Sequence, residues 1–306
     1  MIAVRVADER KIPGAPRVEP QPKRGDLQLI LRGDHRIPSS SCNLSWFLWA
    51  RGRPIRRVRP EPFPKSSSAM SSTGLTVEHL TRRYGKLTAV DDLSFEAAGG
   101  AILGLLGPNG AGKTTTLLCL AGLLRPNAGS MMLGDRQLGA DRGRFVALIP
   151  ETPEVYAMLT VWEHLVFVAK SCRLGPEWES RGRDLLRRLD ITDKANTLGE
   201  ALSKGMRQKT LIACTVLAGA PVLLLDEPMI GLDPKGQREL RSILEELRAE
   251  GTAIILSTHL LESAEAMCDN VLVMNKGRAV ISAPISELRF GELGRSLEDV
   301  FLEATK

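Results

Sequence analysis

The eight residues Gly107-Pro108-Asn109-Gly110-Ala111-Gly112-Lys113-Thr114 fit G-x-x-x-x-G-K-[ST] at every fixed position. They follow the apolar run Ala101-Ile102-Leu103-Gly104-Leu105-Leu106 and precede an apolar stretch over 115–124, closed by Arg125-Pro126 and Gly129. A buried strand, a glycine-rich turn and a helix, in that order, constrain the fold more than composition does, because such a strand needs both faces covered. The glycines let backbone N–H groups turn inward around the β- and γ-phosphates of a nucleotide, and the helix beginning near Lys113 adds its positive dipole end. Lys113 brings a point charge to the same phosphates, Thr114 offers a hydroxyl to Mg²⁺, and Thr115 belongs to the same cradle.

Ahead of this loop, residues 75–80 and 93–96 alternate apolar and polar as half-buried strands do. Short strands are expected at 130–133 and 145–149. The stretch 160–217 reads as mostly helical, with Val161, Leu165, Val168 and then Leu185, Leu186, Leu189 at helical spacing, an inserted lobe spanning about 155–217. A strand over 222–225, an amphipathic helix over 236–250, a strand over 252–257 and a helix over 260–268 then alternate. That order implies an α/β fold with a mainly parallel sheet. A hairpin, 271–274 and 278–282, turns at Asn275-Lys276-Gly277, before helical stretches at 285–290 and 297–303.

A phosphate loop of this kind needs an acidic residue at the end of a neighbouring buried strand, and Val222-Leu223-Leu224-Leu225-Asp226-Glu227-Pro228 supplies it. Four apolar residues bury the strand. Asp226 emerges at its carboxyl end to hold the Mg²⁺ shell, and Glu227 is placed as general base on water.

A third element, Leu202-Ser203-Lys204-Gly205-Met206-Arg207-Gln208-Lys209, lies 23 positions before Asp226 when counted from Ser203. With it the chain resembles the ATP-binding cassette family, the ATPase subunits of ABC transporters. This element is similar to the family's LSGGQ signature, with Lys204 in place of the first glycine and Met206 in place of glutamine, a form resembling stand-alone exporter-type cassettes. The resemblance covers about 75–306. It implies a P-loop NTPase cassette, with an antiparallel β subdomain and the helical subdomain set on the core sheet.

The same resemblance assigns further roles. Tyr84, in Arg83-Tyr84-Gly85, matches the aromatic residue that stacks on adenine. Asp233, in Gly231-Leu232-Asp233, belongs to the loop that touches an opposing subunit, and His259, in Ser257-Thr258-His259, matches the histidine that contacts the γ-phosphate. Ser203 and Gly205 are expected to cover ATP bound by a second cassette, so that two chains close head to tail around two nucleotides. Glu151, in Ile149-Pro150-Glu151, stands where the family most often has glutamine. A carboxylate there still accepts from water, but it adds negative charge beside Asp226 and Glu227, and its other place is in coupling to the membrane partner.

Charge decides what kind of partner to expect. The chain of 306 residues carries +5, but residues 1–69 hold +8 and residues 70–306 hold −3. Nine of eighteen prolines also fall in 1–69, which cannot bury enough apolar surface to offset chain entropy. This leader reads either as sequence upstream of a start at Met70 or as a disordered tail, with the cassette over 70–306. A second reading makes Arg51, Arg53, Arg56, Arg57 and Arg59 a patch for anionic lipid headgroups. No apolar run serves as a secretory core or a membrane span: no uncharged run exceeds sixteen residues, and that over 210–225 is broken by Gly219 and Pro221. The five cysteines, Cys42, Cys119, Cys172, Cys214 and Cys268, are widely spaced and read as thiols in a reducing cytosol.

Two functions compete. The first is the ATP-hydrolysing subunit of an exporter, peripheral on the cytoplasmic face of the membrane, energising separate permease subunits and pairing with a second cassette. The tail 296–303 resembles the ending of exporter cassettes. The second is a soluble ABC ATPase acting on DNA or ribosomes. Such proteins insert long coiled coils between phosphate loop and signature, or carry two cassettes. Here Thr114 and Leu202 are 88 positions apart, there is one cassette, and its net −3 gives no basic footprint for nucleic acid.

Overall fold

The computed structural model describes residues 74–290 and residue 301. The basic leader, Cys42 and, except for Phe301, the expected helix over 297–303 lie outside the described residues. In chain order the elements are β1 (Leu75–Tyr84), β2 (Leu87–Ala97), β3 (Ile102–Leu106), α1 (Lys113–Leu120), β4 (Ala128–Leu133), β5 (Arg136–Gln137), β6 (Val146–Ile149), α2 (Val161–Cys172), α3 (Trp178–Arg188) and α4 (Lys204–Ala218). Then follow β7 (Val222–Asp226), α5 (Pro234–Ala249), β8 (Ala253–Ser257), α6 (Leu261–Met267), β9 (Asn270–Asn275), β10 (Arg278–Pro284) and α7 (Ile285–Phe290).

Strands that are apolar along their length divide their side chains between two cores, because successive residues point to opposite faces. In β3, Ile102 and Leu106 join the core packed by α2 to α5, while Leu103 and Leu105 join the one packed by α1 and the antiparallel sheet. Leu223 and Leu225 against Val222 and Leu224 in β7, and Ile254 and Leu256 against Ala253 and Ile255 in β8, split in the same way. The resulting six-stranded sheet has the order β10-β9-β3-β8-β7-β6. All its neighbours pair in parallel except the edge hairpin of β9 and β10. A separate antiparallel sheet, β2-β1-β4-β5, covers α1 through Leu75, Val77, Leu80 and Leu93. The α/β class, the parallel core sheet and the antiparallel sheet are therefore as expected.

Between β6 and β7 the chain is helical, and α2 and α3 both pack on α4. Thr160 starts α2 with a capping box: its Oγ1 accepts from Glu163 N, and Glu163 Oε2 accepts from Thr160 N. No helix among the described residues is long and apolar enough to cross a membrane. Cys119, Cys172, Cys214 and Cys268 are buried.

The element boundaries depart from the sequence reading for local reasons. The first two strands run on to Tyr84 and back to Leu87, longer than the alternating stretches. Register shifts interrupt their pairing, with His79 (φ 52) and Asp92 (φ 54) in the left-handed region and tied by a 2.7 Å contact from His79 Nδ1 to Asp92 Oδ1. Each shift moves the side-chain pattern to the other face and hides the strand from a period-of-two reading. The helix expected over 115–124 is shifted toward its N-terminus: it starts at Lys113 and ends where Leu123 N and Leu124 N both turn back to Leu118 O.

Candidate functional site

Parallel pairing decides where the chemistry goes. Leu105 of β3 and Asp226 of β7 both stand opposite Ser257 of β8, and Ile149 of β6 stands opposite Leu225. Four strands therefore finish at one sheet edge. They deliver the loop 107–114, Asp226 with Glu227, Thr258 with His259, and Pro150 with Glu151 to the place where open α/β sheets bind ligands.

The loop is shaped by close backbone contacts. Gly112 is the N-cap of α1 at φ 103, with no side-chain cap. A Cβ there would come within 2.4 Å of the Ala89 carbonyl oxygen, so both conformation and space demand glycine. The first N–H groups of α1 have no intrahelical acceptor and face out of the helix end, where an anion is stabilised. Beneath them, Gly277 N in the β9–β10 turn donates to Ala111 O at 3.0 Å, and Thr116 Oγ1 donates to Gly112 O at 3.0 Å. Asn109, Gly110 and Thr114 are exposed at the mouth, while Pro108 and Thr115 are half-buried.

Lys113 is only 8% exposed and folds its Nζ back over the loop, donating to Gly107 O at 2.7 Å and Pro108 O at 3.2 Å. Burial lowers its pKa, and the charges of Glu227, Asp226 and Glu151 oppose that shift. A polyphosphate in this loop meets a largely desolvated cation. Glu151 itself is exposed at the end of β6, and its charge enters the site through Lys113.

At the next strand end, Asp226 is buried and Ser257 Oγ donates to its Oδ1. Glu227 leaves the strand with φ 48, a strained conformation for a residue with a Cβ. Its backbone N donates to Ser257 O at 3.1 Å, and its Oε1 lies 2.7 Å from Nδ1 of the half-exposed His259. The Thr114 hydroxyl and the Asp226 carboxylate are hard oxygen donors. Among the described residues no group of three or more His, Cys, Asp and Glu could hold a metal alone. This donor set fits Mg²⁺, which takes one or two protein oxygens and completes its shell with phosphate and water.

Sequence-expected residues that lie apart from this edge have other neighbours. Tyr84 ends β1, 43% exposed, with the Arg82 guanidinium 4.6 Å above its ring, at the tip of the hairpin whose Ala89 abuts Gly112. Ser203 is the N-cap of α4, accepting from Met206 N at 3.3 Å. Gly205 lies against the Gly231 carbonyl, where a Cβ would come within 2.7 Å. Asp233 caps α5 in an extended conformation and pairs with Lys209 at 2.9 Å. Thus α4 grips the 228–233 loop rather than the loop 107–114.

Sequence reasoning missed the residues that hold these groups in place. Gln208 Nε2 donates to Pro228 O at 3.4 Å, and Gln237 Nε2 donates to Met229 O and Leu232 O at 3.3 Å. For Ser257 a signal existed: it is the polar last residue of an apolar strand, beside another strand that ends in an aspartate.

The family model described as ABC transporter matches residues 90–230. The ABC-type transporter ATP-binding protein EcsA of Bacillus subtilis is 36% identical, over 76% of this chain and 96% of its own length. The Nod factor export ATP-binding protein I of Ralstonia nicotianae is 38% identical, over 78% of this chain and 75% of its own. A solved structure, described as the ATP binding subunit of an ABC transporter, superposes with a TM-score of 0.72 at 36% identity, covering 76% of this chain and 99% of the other. Identity at this level across three quarters of the chain, on the same fold, means that the chain belongs to the ABC transporter family as an ATP-binding subunit.

Proposed function

We propose that the chain hydrolyses ATP to ADP and phosphate and thereby energises export through a separate membrane permease. The observation that carries hydrolysis is the 2.7 Å contact between Glu227 Oε1 and His259 Nδ1, beside the buried Lys113 and Asp226. In this reading the N–H groups of 107–115 and the Lys113 ammonium bind the β- and γ-phosphates, and Tyr84 stacks on adenine. Thr114 and Asp226 would hold Mg²⁺, which would neutralise phosphate charge. Glu227 takes the proton of the attacking water, His259 keeps that carboxylate aligned and contacts the γ-phosphate, and Glu151 accepts from the same water.

The cassette of this reading spans 70–306, with 155–217 as the lobe that passes nucleotide state to the permease. Ser203, Gly205 and Asp233 act on a second cassette, identical or different, and the pair sits on the cytoplasmic face of the membrane. Export is supported by the 38% identity to a relative named for Nod factor export. Nucleic acid has no role in this reading.

The test is phosphate release by the full chain with Mg²⁺ and ATP, measured over a range of protein concentrations, together with identification of what co-purifies. Activity per subunit that rises with concentration, and capture of a polytopic membrane protein, are expected. Activity independent of concentration argues for a self-contained site, and capture of nucleic acid argues against the transporter.

A further inference from the structure

Between Glu151 and α2 the chain crosses a fully buried histidine that does not touch the hydrolytic site. His164, in the first turn of α2, has Nδ1 2.7 Å from Thr160 O, and its Nε2 accepts from Tyr156 N at 2.9 Å. Accepting at Nε2 requires the proton to sit on Nδ1, so these bonds select one neutral tautomer. The Tyr156 ring stacks on the imidazole at 6.1 Å and meets Phe167 edge-on at 5.8 Å. Glu163 and Tyr156 are titratable groups among the described residues that bear on the ring. Glu163 is engaged in the α2 cap, and its charge opposes the burial that pushes His164 down to about 4.

Tyr156 is also where this segment meets the chain that leads to Ser203. A Cβ on Gly199 would come within 2.3 Å of Tyr156 O. Gly199 N donates to Leu159 O at 2.8 Å, Glu200 N to Ala157 O at 3.1 Å, and Val161 N to Thr197 O at 3.1 Å. From α4, Arg207 Nε and Nη2 hold the Gly199 and Glu200 carbonyls at 3.3 and 3.2 Å. The two segments are thus laced together just before the N-cap of α4.

We propose that His164 is a positioning residue. By holding the Tyr156 backbone it locks the 150–160 strap onto the 195–203 segment, so that Glu151 and Ser203 are carried by one rigid connection. Its kinetic consequence rests on the ATPase reading, whereas its structural consequence does not.

The test compares full-length His164→Gln, His164→Asn and His164→Leu. The Gln amide reaches the position of Nε2 and still accepts from Tyr156 N, Asn reaches only the position of Nδ1, and Leu does neither. Amide exchange over 156–162 and 195–203 is expected to quicken about tenfold in Asn and Leu, with 107–114 unchanged and Gln close to wild type. In the same variants kcat for ATP is expected to fall about tenfold, with KM shifted by less than about twofold. Wild-type exchange in Asn, Asn and Gln behaving alike, or loss of protection spread evenly over α1 and the sheet would overturn the proposal. A wild-type chain that releases no phosphate removes the ATPase reading alone, and the exchange comparison still decides the role of His164.

Discussion

His259 Nδ1 stands 2.7 Å from Glu227 Oε1, and the pair exists only because β7 and β8 end side by side, with Asp226 opposite Ser257. A carboxylate so held, with its backbone in the left-handed region, is oriented before any water arrives. Glu227→Gln keeps the shape and removes the proton acceptor. Phosphate release should fall by at least about 100-fold, while ATP affinity is kept and an ATP-bound dimer accumulates in size-exclusion chromatography. Turnover at the wild-type rate in this variant would rule out Glu227 as the base.

Lys113 tests the other half of the site. Its ammonium is desolvated and spans Gly107 O and Pro108 O, so a phosphate bound there exchanges two carbonyl contacts for a charge-assisted pair. Lys113→Ala should weaken ATP binding at least about 30-fold, a loss on the order of 2 kcal/mol, read by fluorescence titration with a labelled nucleotide. Because burial lowers the Lys113 pKa, wild-type affinity should also decline at a lower alkaline pH than an unperturbed lysine would allow. Unchanged affinity in the variant means that the loop does not bind phosphate through this residue.

These two residues were legible in the sequence because each sits at a fixed offset from a buried strand, and a buried strand announces itself as an unbroken apolar run. Lys113 follows β3 through a glycine loop, and Glu227 follows β7 directly. The contacts around the site were not legible, even where, as at Ser257, the residue's position in its strand gave a signal. Ser257 meets Asp226 only through the pairing of residues 31 positions apart, and Gln208 reaches the Pro228 loop from α4, 20 positions away. The long β1–β2 hairpin was hidden by its own register shifts, since a one-residue slip inverts the alternation that a pattern reading relies on. Tyr84 at its tip was found by resemblance rather than by period. The expectation of a separate leader rests on charge and proline content alone, and it falls on residues outside the described ones.

Ser257 gives a test of positioning without touching an acid or a base. Its Oγ donates to Asp226 Oδ1 in a buried setting, and removing the donor leaves a buried carboxylate oxygen short of a partner. Ser257→Ala should cost about 1–3 kcal/mol of stability in urea unfolding. With Asp226 less firmly aimed, the Mg²⁺ concentration giving half-maximal phosphate release should rise, while nucleotide affinity measured without Mg²⁺ stays near wild type. A variant that loses stability but keeps the wild-type Mg²⁺ dependence would confine Ser257 to folding.

The buried imidazole makes the fold itself sensitive to acid. Burial holds the His164 pKa down to about 4, against a usual 6.5, with the Thr160 carbonyl and Glu163 opposing the shift. The folded state therefore keeps the ring neutral where the unfolded chain takes up a proton. Its contribution to stability is complete above pH 6.5 and is lost progressively as pH falls toward 4, by about 3 kcal/mol in all. The sign follows from proton uptake by the unfolded state, which pulls the equilibrium toward it. Protonation in the folded state would also put a donor on Nε2, facing the Tyr156 N–H that it now accepts from. His164→Gln cannot titrate. Between pH 7.5 and pH 4.5 its unfolding free energy should therefore drop by about 2–3 kcal/mol less than that of the wild type, measured by denaturant unfolding of both proteins in matched buffers. Parallel losses in the two proteins would show that His164 does not carry the acid sensitivity.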